Sequence, residues 1–293
     1  VQITEGAWGV RLAPPEERDN GIQKEIDIRM LTDAPGAVIT HRIRNTGRWP
    51  IELAPWALSV TDAGGIAIIP TPQGDADPYG LLPNRMIALW PYSDMTDPRL
   101  TWGSEYLLLR QDPSATVAFK LGVSADSNWM ACANKGMCFV KLFHYQPGQR
   151  YPDFGSSVEC YANADMLELE TLGPLVTLEP GQAVEHTKHW FLYQDVPAGD
   201  TEQWVRETIR PLAVQSLDRA SKGSHRQNLL CANGNTGYLR LFCDPTVARE
   251  GINLRNGRVF QYAFDERVLA PATSHNENFH SMRLLNGGTG ADP

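Results

Sequence analysis

Residues 158–193 read VECYANADMLELETLGPLVTLEPGQAVEHTKHWFLY, and apolar and polar side chains alternate along several short runs of this stretch. Alternation with a period of two is typical of antiparallel β-strands that bury one face and expose the other. Glu179-Pro180-Gly181 separates two of the runs, and Pro and Gly accept the backbone angles of a tight turn. The stretch therefore predicts consecutive strands joined by turns.

The same pattern continues outward along the chain. Further runs rich in β-branched and aromatic residues lie at 38–45, 51–60, 116–121 and 139–145. One helix is predicted, at 201–217, with Asp200 as its N-cap and Pro211 as the residue that breaks or kinks it. The 293 residues therefore predict an all-β fold, a large antiparallel β-sandwich with one short helix.

Charge and hydropathy exclude several partners. The net charge of −8, with no run of Lys or Arg, repels phosphate backbones and predicts no nucleic-acid partner. No stretch reaches the roughly 18 apolar residues of a membrane helix, and residues 1–9 lack the features of a signal peptide. We expect a soluble protein without a membrane partner, either cytoplasmic or exported after processing, with homo-oligomerisation left open.

The cysteines and histidines suggest no cofactor. Five cysteines are present, an odd number without a CxxC pair, which favours free thiols; a bridge between Cys132 and Cys138 is the alternative. His186 and His189 would face opposite ways on a strand. A group at His275, Glu277 and His280 would need an intervening turn to bind a metal ion. We predict neither a metal nor a cofactor.

Ionisable side chains are concentrated on two of the predicted strands. By alternation, Glu159 and Tyr161 share one strand face, and Glu168 and Glu170 share a face of the next strand. Carboxylates accept hydrogen bonds from sugar hydroxyls, and one carboxylate can act as a general base. The alternative is an ordinary polar face of an antiparallel sheet, which shows the same alternation.

Aromatic residues on or near predicted loops give a second indication of sugar binding. A Trp ring packs against the apolar face of a pyranose, although the same residues can also fill a core. Trp56 and Trp90 are the tryptophans that we predict to contact sugar. The other predicted sugar-binding residues are polar or charged, namely Arg85, Lys141, Asp153, Glu159 and Tyr161.

The stretch at 158–193, together with VITHRIRNTGRWPIELAPWALSV at 38–60, resembles the galactose mutarotase (aldose 1-epimerase) superfamily, and within it an uncharacterised bacterial branch. The resemblance implies the family's supersandwich fold and makes Glu170 of Glu170-Thr171 the catalytic base, with Glu168 as the substitute. The family's His-x-Tyr-Phe run, which carries the acid, is replaced by Trp56-Ala57-Leu58. His144 or His41 is then the candidate acid, or each is a hydrogen-bonded structural histidine.

Three functions follow from this resemblance. The first is a mutarotase-type protein that binds a sugar or oligosaccharide and interconverts aldose anomers by Glu/His general acid-base catalysis, which would make it an isomerase. The second is a non-catalytic carbohydrate-binding module, and the third is a lyase or glycoside-active enzyme that processes polysaccharides. Whether the chain is an enzyme stays open.

The domain organisation is predicted as one sandwich over residues 1–293. A polar segment at 218–227 is interpreted as a linker. The β segment at 228–293 faintly resembles the opening strands of a mutarotase-like domain. It either completes the sandwich in a circularly rearranged order or forms an appended unit.

Overall fold

The computed structural model describes residues 2–6 and 9–225. The predicted β segment at 228–293 lies outside these residues, as do Cys231, Cys243 and the group from His275 to His280. All strand pairs in the described part are antiparallel, and the strands form one large and two smaller sheets.

The largest sheet has ten strands, in the spatial order β1-β2-β3-β4-β17-β13-β12-β7-β10-β9. Along the chain they are β1 Gln2–Gly6, β2 Gly9–Ala13, β3 Ile22–Met30, β4 Gly36–Asn45, β7 Ile66–Pro70, β9 Leu100–Trp102, β10 Tyr106–Arg110, β12 Trp129–Asn134, β13 Met137–Leu142 and β17 Ala183–Tyr193. One of its pairings joins β4 to β17, which are far apart in sequence.

A five-stranded sheet covers part of the large one, in the order β6-β15-β14-β11-β8. Its strands are β6 Trp56–Thr61, β8 Ile87–Leu89, β11 Phe119–Val123, β14 Val158–Ala162 and β15 Leu167–Leu172. A third, small sheet pairs β5 Ile51–Leu53 with β16 Val176–Leu178. A single turn, α1 Pro152–Gly155, precedes β14.

The main core lies between the two larger sheets. Phe119, Leu121, Cys160 and Leu169 of the five-stranded sheet pack against residues of the ten-stranded sheet such as Met130, and all five are almost fully buried. We call the face of each sheet that meets this core its inner face. The predicted all-β sandwich is therefore confirmed.

One helical segment packs on the outer face of the ten-stranded sheet, where Val205, Ile209 and Ala213 contact a second apolar cluster that includes Leu108 and Phe191. It consists of α2 Glu202–Trp204, a wide π-turn at Val205–Ile209 and α3 Arg210–His225. These boundaries correct two predictions. The helix continues past 217, so the described part of the predicted linker, 218–225, is helical.

The start of the helix and its passage through Pro211 also differ from expectation. The N-cap is Thr201, not Asp200, and its hydroxyl accepts a hydrogen bond from the Trp204 N–H at 3.1 Å. The π-turn directly before Pro211 lets the Arg210 N–H reach the Val205 carbonyl. A π-turn is wider than an α-helical turn. The helix contains this wider turn just before Pro211 and continues through the proline.

The three described cysteines, Cys132, Cys138 and Cys160, are buried free thiols, as expected. Cys132 lies opposite Phe139, and Cys138 lies opposite Ala133. Because cysteine side chains on adjacent register positions point to opposite faces of the sheet, a Cys132–Cys138 bridge is excluded. In the described ranges, no helix is long and apolar enough to span a bilayer, and no group of three or more His, Cys, Asp or Glu is placed to hold a metal ion.

Candidate functional site

The polar side chains of the five-stranded sheet gather on its outer face, opposite the core. Glu159 on β14 lies directly across from Glu170 on β15 and from Gly122 on β11. Tyr161 lies across from Glu168 on one side and from Lys120 on the other. Directly opposed residues share a face of the sheet. The pairing of β14 with β15 therefore places the predicted carboxylates of both strands on one face, side by side.

Lys120 is the centre of this group. Its Nζ lies 2.7 Å from Glu159 Oε2 and 2.9 Å from Glu170 Oε2. All three side chains are buried, with Glu170 at 0% and Glu159 at 2% exposure. In each carboxylate the second oxygen, Oε1, has no hydrogen-bond partner within the described part of the chain. Each therefore retains an unused acceptor that faces no water.

Two tryptophans cover the ammonium. The Trp56 Nε1–H donates to Glu170 Oε2 at 2.6 Å, and the Lys120 Nζ lies 4.8 Å from the Trp56 ring centroid. The Trp90 ring centroid is 4.7 Å from the same Nζ. Both distances fit cation–π contacts. We call Lys120, Glu159, Glu170, Trp56 and Trp90 the outer cluster.

Burial and neighbouring charges shift the acidities of this face. Burial, reinforced by Glu170, raises the pKa of Glu168 to about 7. Burial also raises the pKa of Glu159, and Glu170 and Asp153 act in the same direction against Lys120. Burial alone would lower the pKa of Lys120, but Glu170 and Glu159 outweigh it and raise the pKa. The lysine is therefore charged, and the raised pKa values of Glu159 and Glu168 favour the protonated forms of these two carboxyl groups.

The turn α1 closes one side of the cluster. Asp153 and Phe154 adopt left-handed backbone angles there, with φ of 47° and 61°. A Cβ atom at Gly122 would lie only 2.3 Å from Ser156 Oγ, so glycine at this position lets the segment after the turn approach the sheet. Asp153 is thereby placed next to Glu159, whose pKa it helps to raise.

Four predicted site residues are not brought to the outer cluster. Lys141 lies on the inner face, where its Nζ donates to the carbonyls of Ala57 at 2.9 Å and Leu169 at 2.8 Å. His41 is on the inner face of the ten-stranded sheet, opposite His186. The exposed Arg85 donates to the Pro72 carbonyl at 2.9 Å. His144 is exposed beyond the end of β13, and no contact joins it to the carboxylates among the described residues.

Lys120 was missed by the sequence interpretation. Its strand reads FKLGV, all five residues of which are buried. The one signal was a single charged residue in an otherwise apolar strand, which requires a buried counter-charge. Alternation alone does not identify that partner, because the partner lies on another strand.

The comparisons with known proteins give similarity to solved structures. No family model matches the chain, and no curated protein matches it. Solved structures that are similar to it include a putative aldose 1-epimerase from Klebsiella pneumoniae (14% identity, TM-score 0.41, 66% of this chain and 53% of that one) and a galactose mutarotase-like protein from Lactobacillus casei (10% identity, TM-score 0.41, 66% and 72%). Many of its structural neighbours are such proteins.

A putative mutarotase from Salmonella typhimurium is a further neighbour, at 8% identity and a TM-score of 0.41, with 66% of this chain and 63% of that chain covered. The chain thus spans between about half and two thirds of the length of several of these relatives. Similarities at this level say nothing of the chemistry, which must be argued from the outer cluster itself.

Proposed function

We propose that the protein binds a sugar on the outer face of the five-stranded sheet, at the outer cluster. The observation that carries the proposal is the buried Glu170, whose Oε2 is held by Trp56 and Lys120 while its Oε1 has no partner among the described residues. A buried acceptor without a partner costs about 1–3 kcal/mol. A sugar hydroxyl would satisfy it.

The surroundings of Glu170 suit a pyranose. Trp56 and Trp90 supply aromatic surface for the apolar face of the ring, and Tyr161 and Glu168 supply further polar groups on the same sheet face. Because Glu159 and Glu170 are covered, a ligand reaches them when the side chain of Lys120, Trp56 or Trp90 moves aside. Binding should therefore alter the environment of tryptophan.

The test is a titration of tryptophan fluorescence with soluble monosaccharides and oligosaccharides. We expect a saturable change with wild type and at least a tenfold weaker affinity with Glu170→Gln, because the amide replaces one acceptor oxygen by a donor. Glu179→Gln, on the exposed turn before β17, is the matched control and should bind as wild type does. Equal affinity in wild type and Glu170→Gln would contradict the proposed site.

Interconversion of anomers is a second candidate, favoured by the pKa of Glu168, about 7, two residues from Glu170 on the same face. Glu170, whose Oε2 is held by Trp56 and Lys120, would take the proton of the anomeric hydroxyl. Protonated Glu168 would give its proton to the ring oxygen as the C1–O5 bond breaks. Reclosure on the other face of the aldehyde returns both protons.

In this mechanism a carboxylic acid replaces the histidine that the family resemblance implied. Polarimetry of freshly dissolved aldoses tests it. We expect wild type to accelerate mutarotation of at least one aldose and Glu168→Gln and Glu170→Gln each to lose about 100-fold or more. A rate equal to that of buffer with every aldose would remove the catalytic candidate and leave sugar binding intact.

A further inference from the structure

Four basic side chains lie together on the inner face of the ten-stranded sheet, beneath β15. They are Lys141 on β13, His186 and Lys188 on β17, and His41 on β4, and we call them the inner basic cluster. His186 is directly opposite His41, and Lys141 is opposite Trp190, which follows Lys188 by two positions. The pairing places all four on one sheet face. None of them belongs to the outer cluster.

Three of these groups, His186, Lys141 and Lys188, are buried, and few acceptors lie beside them among the described residues. Lys141 is 0% exposed and Lys188 is 1% exposed. Lys141 is satisfied by the two carbonyls of Ala57 and Leu169, and His186 Nε2 lies 3.0 Å from Thr171 Oγ1. Among the described residues, Lys188 Nζ forms a single hydrogen bond, 3.2 Å to the His186 carbonyl. A charged Lys188 therefore has N–H donors to spare.

In the described part of the chain, no carboxylate pairs with the inner basic cluster. Within residues 2–6 and 9–225, no carboxylate forms a salt bridge with Lys141 or Lys188. Glu168 and Glu170 do raise the pKa of Lys141, but they lie on the opposite face of β15. The charged group that lowers the pKa of Lys188 is Lys141. Both lysines also lower the pKa values of His41 and His186. The cluster holds basic groups without a counter-charge beside Lys188.

Two further donors on the surrounding inner faces have no partner in the described part of the chain. Trp190 Nε1 is buried and unbonded, on the strand that carries Lys188. The hydroxyl of Ser59, a residue 6% exposed, is also unbonded and lies opposite Leu169, whose carbonyl receives Lys141. Buried polar groups are nearly always satisfied. Donors in excess of acceptors indicate that an acceptor is needed here.

We propose that a small monovalent anion of the halide type binds at the inner basic cluster, with Lys188 as its principal ligand. A halide accepts several N–H bonds at once and supplies the missing charge. It is also smaller than sulfate or phosphate, which suits the close packing between two sheets. The site is distinct from the outer cluster and does not depend on sugar binding.

The titratable groups that face the site set its response to pH. They are His41, His186, Lys141 and Lys188 from the ten-stranded sheet and the Cys160 thiol from β14, with Glu168 and Glu170 behind the backbone of β15. Burial, together with Lys141, lowers the pKa of Lys188 well below its usual value, and burial lowers the pKa of Lys141 to about 7. An anion stabilises the protonated amines, so binding should be stronger at pH 6 than at pH 9.

Thermal unfolding at constant ionic strength tests the proposal. At pH 6, replacing sodium gluconate with sodium chloride or bromide should raise the Tm of wild type by about 3 °C or more. Lys188→Met should abolish this halide-specific rise, and Lys222→Met, a change at an exposed lysine, should retain it. No rise in wild type, or the same rise in Lys188→Met, would overturn the proposal.

A crystal of the wild-type protein grown in bromide gives a result that does not depend on the stability of a variant. The proposal predicts an anomalous peak within about 3.5 Å of Lys188 Nζ. This distance is expected because an N–H contact to a halide is somewhat longer than an N–H contact to oxygen. A folded protein without such a peak would show that the lysine is buried as a neutral amine, contrary to the proposal.

Discussion

At the scale of single residues, Lys120 determines what the outer cluster can do. Its ammonium pairs with Glu159 and Glu170 and lies over Trp56 and Trp90, so one side chain joins four strands of the same sheet. A buried charge is stable only when it is paired and hydrogen-bonded. The lysine therefore holds Glu170 Oε2 in place, and the raised pKa of Glu168 lets that second carboxyl group hold a proton near neutral pH.

The protonation of Glu168 gives a prediction of stability. Its pKa rises from an ordinary 4.5 to about 7 on folding, so between these values the native state binds more protons than the unfolded state. The contribution of Glu168 is fully present below about pH 4.5 and is lost as the pH rises through 7. We expect the free energy of unfolding of wild type, relative to Glu168→Gln, to fall by roughly 3 kcal/mol between pH 4.5 and 8.

Urea unfolding of both proteins across this pH range measures the difference. Glu185→Gln, at an exposed carboxylate on β17, is the control for general effects of charge. A constant difference between wild type and Glu168→Gln would mean that Glu168 is ionised throughout, which would also remove it as the acid of the catalytic candidate.

Residue faces were predictable only in part. The period of two correctly groups Glu159 with Tyr161 and Glu168 with Glu170. It cannot tell which of two faces meets the core when a strand is buried on both sides, as β13 largely is. Lys141 was for that reason assigned to the sugar, although it bonds to backbone carbonyls inside the sandwich.

At the scale of elements, the helical segment is attached to the sheet at its first turn. Thr201 caps the N-terminus, and Glu202 Oε1 accepts hydrogen bonds from the N–H groups of Glu105 at 2.6 Å and Tyr106 at 2.9 Å. The negative carboxylate also suits the positive end of a helix. These contacts hold the helix against β10.

Loss of the cap should be measurable. Thr201→Ala removes the hydroxyl that accepts from the Trp204 N–H, and we expect the free energy of unfolding to fall by about 1 kcal/mol. Thr201→Ser keeps the hydroxyl and should stay within about 0.5 kcal/mol of wild type. Denaturant unfolding compares the three proteins. Equal losses in both variants would show that the methyl group, not the cap, is what matters.

The helix also shows how composition misleads at the level of an element. Ser221-Lys222-Gly223 has the composition of a linker, yet it continues α3. Lys222 pairs with Asp218 one turn earlier, and Ser221 bonds back to the Asp218 carbonyl. Contacts between residues three and four positions apart support a helix that apolar periodicity does not reveal.

At the scale of the whole molecule, the sandwich class was predictable but its strand order was not. Alternation and turn residues identify strands locally, whereas β4 pairs with β17 across more than 140 residues, as the Thr40–Thr187 contact shows. Pairings of that kind depend on the packing of complete sheets. A second long-range pairing, between β6 and β15, brings Trp56 beside Glu170 and so assembles the outer cluster.

The two faces of the five-stranded sheet carry different chemistry. Carboxylates and aromatic rings lie outside it, and basic groups lie beneath it, with β15 between them. The outer face is the surface that we propose for a neutral sugar, because its carboxylates disfavour anionic ligands. The inner face is the one that we propose for an anion.

The most direct test of sugar binding compares two tryptophan variants by fluorescence titration. Trp56 contacts Glu170 and Lys120, whereas Trp49 is 77% exposed and lies between β4 and β5. We predict that Trp56→Phe loses at least tenfold in affinity for any sugar that wild type binds, and that Trp49→Phe keeps the affinity and the fluorescence change of wild type. Loss with Trp49→Phe and none with Trp56→Phe would place the sugar elsewhere and contradict the account.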